Sequence, residues 1–375
     1  MAGETESYVL DVVDVVEETG DARSVVLRVP EELGETFAYR PGQFLTVAVP
    51  SERDGLAARC YSLSSAPFET GGHKFTVKRT AEGYASNWVC DHLRPGDTLR
   101  VLPPSGIFTP KDLDADLLLL AAGSGITPVI SIAKTALHEG SGRVVLFYAN
   151  RDESAIIFAT ELRELQEQHP ERFTVVHWLE SVQGLPTREQ VAAFASYFTD
   201  FTAFVCGPTP FMKAATGALK ELGFPRERRH QEKFVSLGGN PFGDVAEVAE
   251  ARAEIDAADD ADDPGDDLGE DTHVAVEPPA VDGPVTVEVE LDGVEYAFDD
   301  YAGDVPLLDY LESKGVPAPF SCREGNCSAC ACVVLEGEVS MKHNEVLDDE
   351  DLADGIRLAC QSLPLTDKLK ISYSG

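Results

Sequence analysis

Long apolar runs are missing from this chain. Nothing approaches the roughly 18 consecutive apolar residues of a membrane-spanning helix. The longest candidate, Leu117–Leu120 with Ala121, runs into Gly123. Positive charge is scarce as well: 30 Lys+Arg stand against 66 Asp+Glu among 375 residues, a formal charge of −36. An acidic surface is repelled by phosphate backbones and anionic lipid, so no nucleic acid and no membrane is expected as a partner. The N-terminal stretch is acidic and lacks the basic n-region of a secretory signal, which points to a cytoplasmic protein. Metal-ligand spacing is absent among His138, His169, His177 and His230, which read as structural.

What is present is unevenly spread. Residues 241–280 hold 14 acids and one Arg, residues 281–375 hold 20 acids and 6 bases, and the first 240 residues carry only −9. Of eight cysteines, Cys322, Cys327, Cys330, Cys332 and Cys360 gather near the end, while Cys60, Cys90 and Cys206 are scattered. In a reducing compartment such a cluster binds metal more often than it forms disulfides. The length allows two to four domains, and 43% hydrophobic residues suffice for packed cores.

Residues 5–110 show short β-rich runs, Tyr8–Val16, Ser24–Val29, Phe44–Val49, Lys74–Arg79 and Thr98–Leu102, between Gly, Pro and Asp turns. That spacing predicts a small antiparallel barrel, with a short helix near Ala85–Leu93. From residue 115 strands alternate with helices. Strands are expected at Leu117–Ala122, Val144–Tyr148, Thr174–Trp178 and Phe201–Val205, and helices at Val129–Leu137, Phe158–Gln168, Arg188–Phe194 and Phe211–Leu222. This is the pattern of a doubly wound parallel sheet, whose ligands bind at the carboxyl ends of the strands. The stretch Ala257–Asp267 reads as a self-repelling linker, with some helix in Ala246–Ile255. From 284 on, an alternating strand Val285–Leu291, a return strand Val294–Phe298, a helix Val305–Lys314 and strands Ala331–Leu335 and Leu369–Tyr373 predict a small α+β domain. The expected divisions are 1–111, 112–237, a linker 238–283, and 284–375.

The strongest chemical signal is Cys322-x4-Cys327-x2-Cys330, with Cys360 after 29 further residues. A two-iron cluster takes three thiolates from one tight loop and a fourth from a distant segment, and this is the plant-type [2Fe–2S] spacing. Zinc sites are built from CxxC pairs and fit it poorly. Gly325, Ser328 and Ala329 let backbone amides approach the sulfurs. Cys332 falls outside the pattern and reads as a buried strand thiol. Pro284–Gly375 thereby resembles the plant-type ferredoxins, which implies a β-grasp fold.

Four weaker signals precede it. Arg59-Cys60-Tyr61-Ser62-Leu63 offers a phosphate partner, a flat ring and a hydroxyl for a heterocycle. Gly83-Tyr84-Ala85-Ser86 opens the first helix and suits an anion. Gly123-Ser124-Gly125-Ile126-Thr127-Pro128 lies between a buried strand and a helix, where a pyrophosphate binds; Pro128 replaces the third Gly of the GxGxxG fingerprint. Cys206-Gly207-Pro208 repeats the strand–turn–helix arrangement. In this order the signals resemble the ferredoxin–NADP⁺ reductase superfamily over Tyr8–Gly238.

The resemblance implies roles. Arg59, Tyr61, Ser62 and Leu63 would hold the flavin, and Gly83 and Ser86 the FAD pyrophosphate. Gly123, Gly125, Thr127 and Pro128 would form the nicotinamide-nucleotide turn. Cys206 and Gly207 would lie beside the nicotinamide, with Glu232 and Phe234 bringing an acid and an aromatic near the flavin. Ser62, Cys206 and Glu232 are the side chains expected at hydride transfer. GxxS favours FAD over FMN. Asp152 and Glu153 beside Arg151 favour NADH over NADPH.

The order flavin, nicotinamide, ferredoxin is similar to reductase components of multicomponent oxygenases. Leu146–Glu153, Phe173–Leu185 and Ser86–Phe108 are most similar to the 3-ketosteroid 9α-hydroxylase branch, with phenylacetyl-CoA epoxidase and other aromatic or alkane oxygenase reductases as neighbours. The implied protein is a monomer passing electrons from NADH through FAD and [2Fe–2S] to a Rieske-type oxygenase. A stand-alone diaphorase or quinone reductase is the alternative. A redox sensor would need an effector part, and none is seen; the globin part of a flavohaemoglobin is missing.

Overall fold

A computed structural model describes residues 7–51, 55–81, 83–234, 241–242, 281, 283–291 and 293–373. Contacts divide the chain into two compact units: residues 8–50 with 59–234, and residues 1–7 and 51–58 with 235–375. Each is described by itself. The expected linker and the helix at Ala246–Ile255 lie outside the described residues.

The described chain opens with an antiparallel sheet of β1 (Tyr8–Thr19), β2 (Ala22–Arg28), β3 (Phe44–Ser51), β4 (Gly55–Ser62, of which residues 59–62 belong to the first unit), β5 (His73–Lys78) and β6 (Thr98–Val101), ordered β4-β3-β6-β1-β2-β5. A bridge from Leu63 to Phe75 joins the end of β4 to β5, so the two edges meet and the sheet closes. Alternation fills the barrel: Leu10, Val12, Val25, Leu27, Leu45, Val47, Phe75 and Val77 are buried, while Val9 faces out. Helix α1 (Tyr84–His92) packs Ala85, Val89 and Cys90 into the same core.

A five-stranded parallel sheet follows, ordered β11-β10-β7-β8-β9. Its strands are β7 (Leu117–Ala122), β8 (Val144–Asn150), β9 (Phe173–Leu179), β10 (Thr202–Cys206) and β11 (Arg229–Glu232). Its helices are α2 (Ile126–Glu139), α3 (Ala159–Gln168), α4 (Glu180–Gln183), α5 (Arg188–Ala195) and α6 (Thr209–Glu221). Alternate residues of the continuously apolar β7 feed opposite cores. Leu117, Leu119 and Ala121 pack with α2 and α3; Leu118 and Leu120 pack with α5 and α6. Each such Leu contributes about 1.5–3 kcal/mol on burial, which is why the strand reads as an unbroken apolar run.

In the second unit a mixed sheet is ordered β13-β12-β18-β14-β16, with β12 (Val285–Leu291), β13 (Val294–Tyr301), β14 (Ala331–Glu336), β16 (Ile356–Leu358) and β18 (Lys368–Ser372). A small sheet pairs β15 (Val339–Met341) with β17 (Ser362–Pro364). Helix α7 (Leu307–Ser313) buries Leu307, Leu308, Tyr310 and Leu311, and Gly315 ends its turn at a φ of 75°. Helix α8 (Asp349–Ala353) starts on a capping box between Asp348 and Asp351. Cys332 is the expected buried thiol of β14, pushed up to about 12 by burial. The mixed sheet with one principal helix is the expected α+β ferredoxin architecture.

Candidate functional site

The carboxyl ends of β7 and β10 lie side by side, with Cys206 opposite Ala121. Two turns leave this edge. In the first, Gly123 takes a left-handed φ of 52°, residues Gly123–Gly125 form a 3-10 turn, and α2 begins at Ile126. The Thr127 hydroxyl donates to the Ser124 carbonyl at 3.0 Å, and the Tyr148 phenol donates to the Gly123 carbonyl at 3.0 Å. No side chain caps α2; the Ile126 amide turns back to the Gly123 and Ser124 carbonyls and Pro128 has none, which leaves the Thr127 amide of the first turn for an anion. In the second, Gly207 and Pro208 lead into α6, which also lacks a side-chain cap.

Glycine lets these turns touch. A Cβ on Gly125 would overlap the Cys206 carbonyl, and one on Gly207 would stand 2.9 Å from Ala122 Cβ. Gly123, Gly125, Thr127, Cys206 and Gly207 are thus brought to one edge, and Pro128 continues the first turn as a buried residue of α2.

The same edge holds Glu232, at the tip of β11 and in register with Cys206. Burial raises its carboxyl to about 8, and the charge of Cys60 adds to the rise. Cys60 belongs to the Arg59–Leu63 segment, so β4 of the barrel reaches the edge where β10 and β11 end. Burial, with Glu232 adding, also holds the Cys206 thiol well above its ordinary value. His230 stacks on Phe204 at 4.6 Å, and burial, Arg226 and Lys111 lower it to about 4. Phe234 is exposed, two residues beyond Glu232.

On the barrel side, Arg59, Cys60, Tyr61 and Ser62 are the last residues of β4, and the Leu63 amide donates to the Gln43 carbonyl at 2.8 Å. Tyr61 stacks on Phe75 at 5.5 Å, Ser62 and Leu63 are buried, and Arg59 is half-buried. Gly83 precedes α1. The Ser86 hydroxyl accepts from the Thr80 amide at 3.1 Å, so it ties the loop together while the first amides of α1 stay without a side-chain cap.

The sequence does not single out Tyr148, Asn150 or Lys78. Asn150 ends β8 and is 6% exposed; its amide lies within reach of the Tyr148 phenol but makes no well-aligned hydrogen bond. A buried donor and acceptor with poorly satisfied bonds at the strand tips suits a polar ligand with both functions, such as a nucleoside. Lys78 Nζ lies 3.9 Å from where a Gly123 Cβ would stand and 3.8 Å from the Asp21 carboxylate. A polar residue closing an apolar strand carries little signal of its own, and Lys78 comes from the barrel, so only folding brings it to the turn.

The four motif cysteines of the second unit, Cys322, Cys327, Cys330 and Cys360, are all buried. The Cys322 thiol is in hydrogen-bond contact with those of Cys327 and Cys360, and Cys360 with that of Cys330. Among the described residues no three His, Cys, Asp or Glu side chains surround a single ion-sized point; the thiols instead form a linked set of four. Backbone amides already face sulfur: Glu324 and Asn326 donate to Cys322 Sγ, and Cys322 to Cys327 Sγ, each at 3.3 Å. Gly325, at a φ of 77°, would carry a Cβ 2.6 Å from the His343 carbonyl. Four thiols with amides turned toward them fit a two-iron cluster.

Known proteins divide in the same way. Residues 10–109 match the oxidoreductase FAD-binding domain, residues 119–217 the oxidoreductase NAD-binding domain, and residues 289–365 the 2Fe-2S iron-sulfur cluster binding domain. The ferredoxin reductase component of 3-ketosteroid-9-alpha-monooxygenase from Rhodococcus rhodochrous is 53% identical over 98% of this chain and 97% of its own. A component of the 1,2-phenylacetyl-CoA epoxidase of Escherichia coli (strain K12) is 30% identical over 98% of each. The structure of phthalate dioxygenase reductase, 22% identical, shares the fold over 98% of both chains with a TM-score of 0.54. Among the described residues no helix is long and apolar enough to cross a membrane. The chain is an oxidoreductase that uses FAD, NADH and a [2Fe–2S] cluster, and it belongs to the family of ferredoxin reductase components built from these three domains.

Proposed function

We propose that this reductase serves a Rieske-type oxygenase, the 3-ketosteroid 9α-hydroxylase, as a monomer in the cytoplasm. The observation that carries the electron path is the approach of the barrel to the nucleotide edge, where Lys78 of β5 stands beside Gly123 and Cys206 is in register with Glu232. The likeness that favours a steroid oxygenase is 53% identity, against 30% for the phenylacetyl-CoA epoxidase component.

An FAD held by these residues would supply the conversion of a two-electron hydride from NADH into single electrons for a [2Fe–2S] cluster. The chain positions these groups. Arg59, Tyr61, Ser62 and Leu63 take the flavin along the end of β4, and Gly83 with Ser86 takes the FAD pyrophosphate at α1. Gly123, Gly125, Thr127 and Pro128 present the start of α2 to the nucleotide, and Asn150 supplies a donor and an acceptor beside them. Cys206 and Gly207 bound the nicotinamide, with Glu232 and Phe234 at the same edge. A protonated Glu232 and a Cys206 thiol leave the edge without charge, which suits transfer of a hydride between flat rings. Cys322, Cys327, Cys330 and Cys360 hold the cluster.

The test is reconstitution of the FAD- and cluster-loaded protein with the oxygenase of 3-ketosteroid 9α-hydroxylase, NADH and androstenedione. Hydroxylated steroid close to stoichiometric with NADH consumed is the expected result. Rapid NADH consumption with a generic acceptor but little product would move the partner to another oxygenase, or to the stand-alone diaphorase reading.

A further inference from the structure

The barrel and the parallel sheet of the first unit share a polar junction that the electron path does not use. One face of α2 carries Ser131, Lys134 and His138, at i, i+3 and i+7. All three meet the barrel loop that follows Leu63. The Ser131 hydroxyl donates to the Ser65 carbonyl at 2.6 Å, Lys134 Nζ lies 2.8 Å from Glu69 Oε1, and the His138 ring stacks on Phe68 at 3.9 Å. Helix α3 joins through Glu161. One of its oxygens receives Lys134 at 2.9 Å, and the other receives Lys74 of β5 at 3.2 Å. The result is an alternating chain Lys74–Glu161–Lys134–Glu69, two charges of each sign, running between barrel and sheet.

The loop is held on its own side as well. The Ser65 hydroxyl bonds the Tyr39 phenol at 2.8 Å and accepts from the Lys74 amide at 3.0 Å, and the Ala66 amide donates to Glu69 Oε2 at 3.1 Å. Lys134 is only 4% exposed. A buried ammonium with two carboxylates is a poor source of stability, because a well-packed apolar side chain of similar volume does as well. What such a cluster supplies is one allowed register.

The register matters because of where the junction sits. Ser65 is two residues beyond Leu63, the end of the flavin segment. Ser131 is three residues beyond Pro128, the end of the nucleotide turn. The junction therefore ties together the ends of the two segments whose separation decides hydride transfer.

We propose that Lys134 is a positioning residue: by locking one face of α2 to the barrel loop 65–69, it sets the distance between the nicotinamide turn and the flavin strand. This rests on the cofactor placement proposed above.

The test compares the loaded wild type with Lys134→Arg, Glu69→Gln and the charge-balanced pair Lys134→Met/Glu69→Gln, in which Lys74 and Glu161 stay matched. Readouts are the single-turnover rate of flavin reduction by NADH, the long-wavelength flavin–nicotinamide charge-transfer absorbance, FAD content, and amide exchange of residues 65–69 without NADH. In the pair variant we expect FAD content to hold, flavin reduction to slow by about 10- to 100-fold, the scale of an ångström of misplacement, and the charge-transfer band to shrink. KM for NADH should change less than about threefold, because the nucleotide turn itself is untouched. Amide exchange should rise at Ser65, Ala66 and Glu69, and Lys134→Arg should recover most of the rate. A wild-type rate and band in the pair variant, or unchanged exchange in the loop, overturns the proposal. Should the pair variant lose FAD, Glu69→Gln alone decides: a several-fold slower rate supports the proposal and an unchanged rate refutes it. A wild type that NADH does not reduce would fail the cofactor placement instead, while the exchange measurement would still judge the junction.

Discussion

Glu232 is a carboxyl held at about 8, chiefly by burial, where its ordinary value is 4.5. The consequence for stability has a definite sign. Between those two values the folded chain keeps a proton that the unfolded chain has released, so this group's contribution falls as pH rises from about 4.5 to about 8. Glu232→Gln removes the titration while keeping the shape. The melting temperature of the variant should gain on that of wild type as pH is raised through this window, by on the order of 10 °C by pH 8.5. Parallel melting curves across the window would mean that the carboxyl is already ionised and solvated at pH 7. His230 titrates on the acid side, near 4, so the substitution leaves that limb unchanged.

At the scale of elements, legibility in the sequence follows the source of each element's stability. β7 is legible to the residue because all six positions are buried and the apolar run says so. The helices around it are legible within a few residues from their 3.6-residue spacing. β11 is not: Arg-His-Gln-Glu has no apolar alternation, and it is a strand only because β10 offers it a parallel partner. β4 escapes for a related reason, since the sequence marks Arg59–Leu63 by its chemistry and not as a β-rich run, while the structure makes most of it the end of a strand. The site is legible where spacing encodes it, in the cysteine loop and the glycine turns, and illegible where partners come from distant elements, as with Asn150 and Lys78.

Arg323 is another such case. It lies beside Cys322 in the left-handed region, at a φ of 60°, and is 4% exposed. Its guanidinium bonds Asp309 at 3.1 Å and Glu312 at 2.6 Å on α7, and its carbonyl accepts from Gln361 at 2.9 Å, next to Cys360. The cysteine loop is thereby fixed to the principal helix and to the segment bearing the fourth cysteine. Arg323→Met leaves two carboxylates without their cation and should cost about 3–5 kcal/mol in the second unit. Cluster absorbance should then decay several-fold faster in mild denaturant, with flavin absorbance unaffected. Equal decay in variant and wild type would assign the loop's hold to its backbone alone.

For the whole molecule, what counts is which unit carries which chemistry. Every residue assigned to FAD and NADH falls in residues 8–50 and 59–234, and all four cluster cysteines fall in residues 235–375. The first unit packs its own two-sided core and builds its nucleotide edge from its own strands. The residues assigned to that edge all belong to the first unit, so hydride transfer should not depend on the cluster. Export of single electrons should depend on it entirely, because the one-electron carrier is held by thiols that the first unit does not contain. Cys327→Ser separates the two steps. Flavin reduction by NADH should stay within about twofold of wild type, while oxygenase-coupled product falls to background and the iron–sulfur spectrum is lost or altered. Flavin reduction that collapses together with product would show that the second unit is needed for the first to hold its cofactors, and the division of labour between them would have to be abandoned.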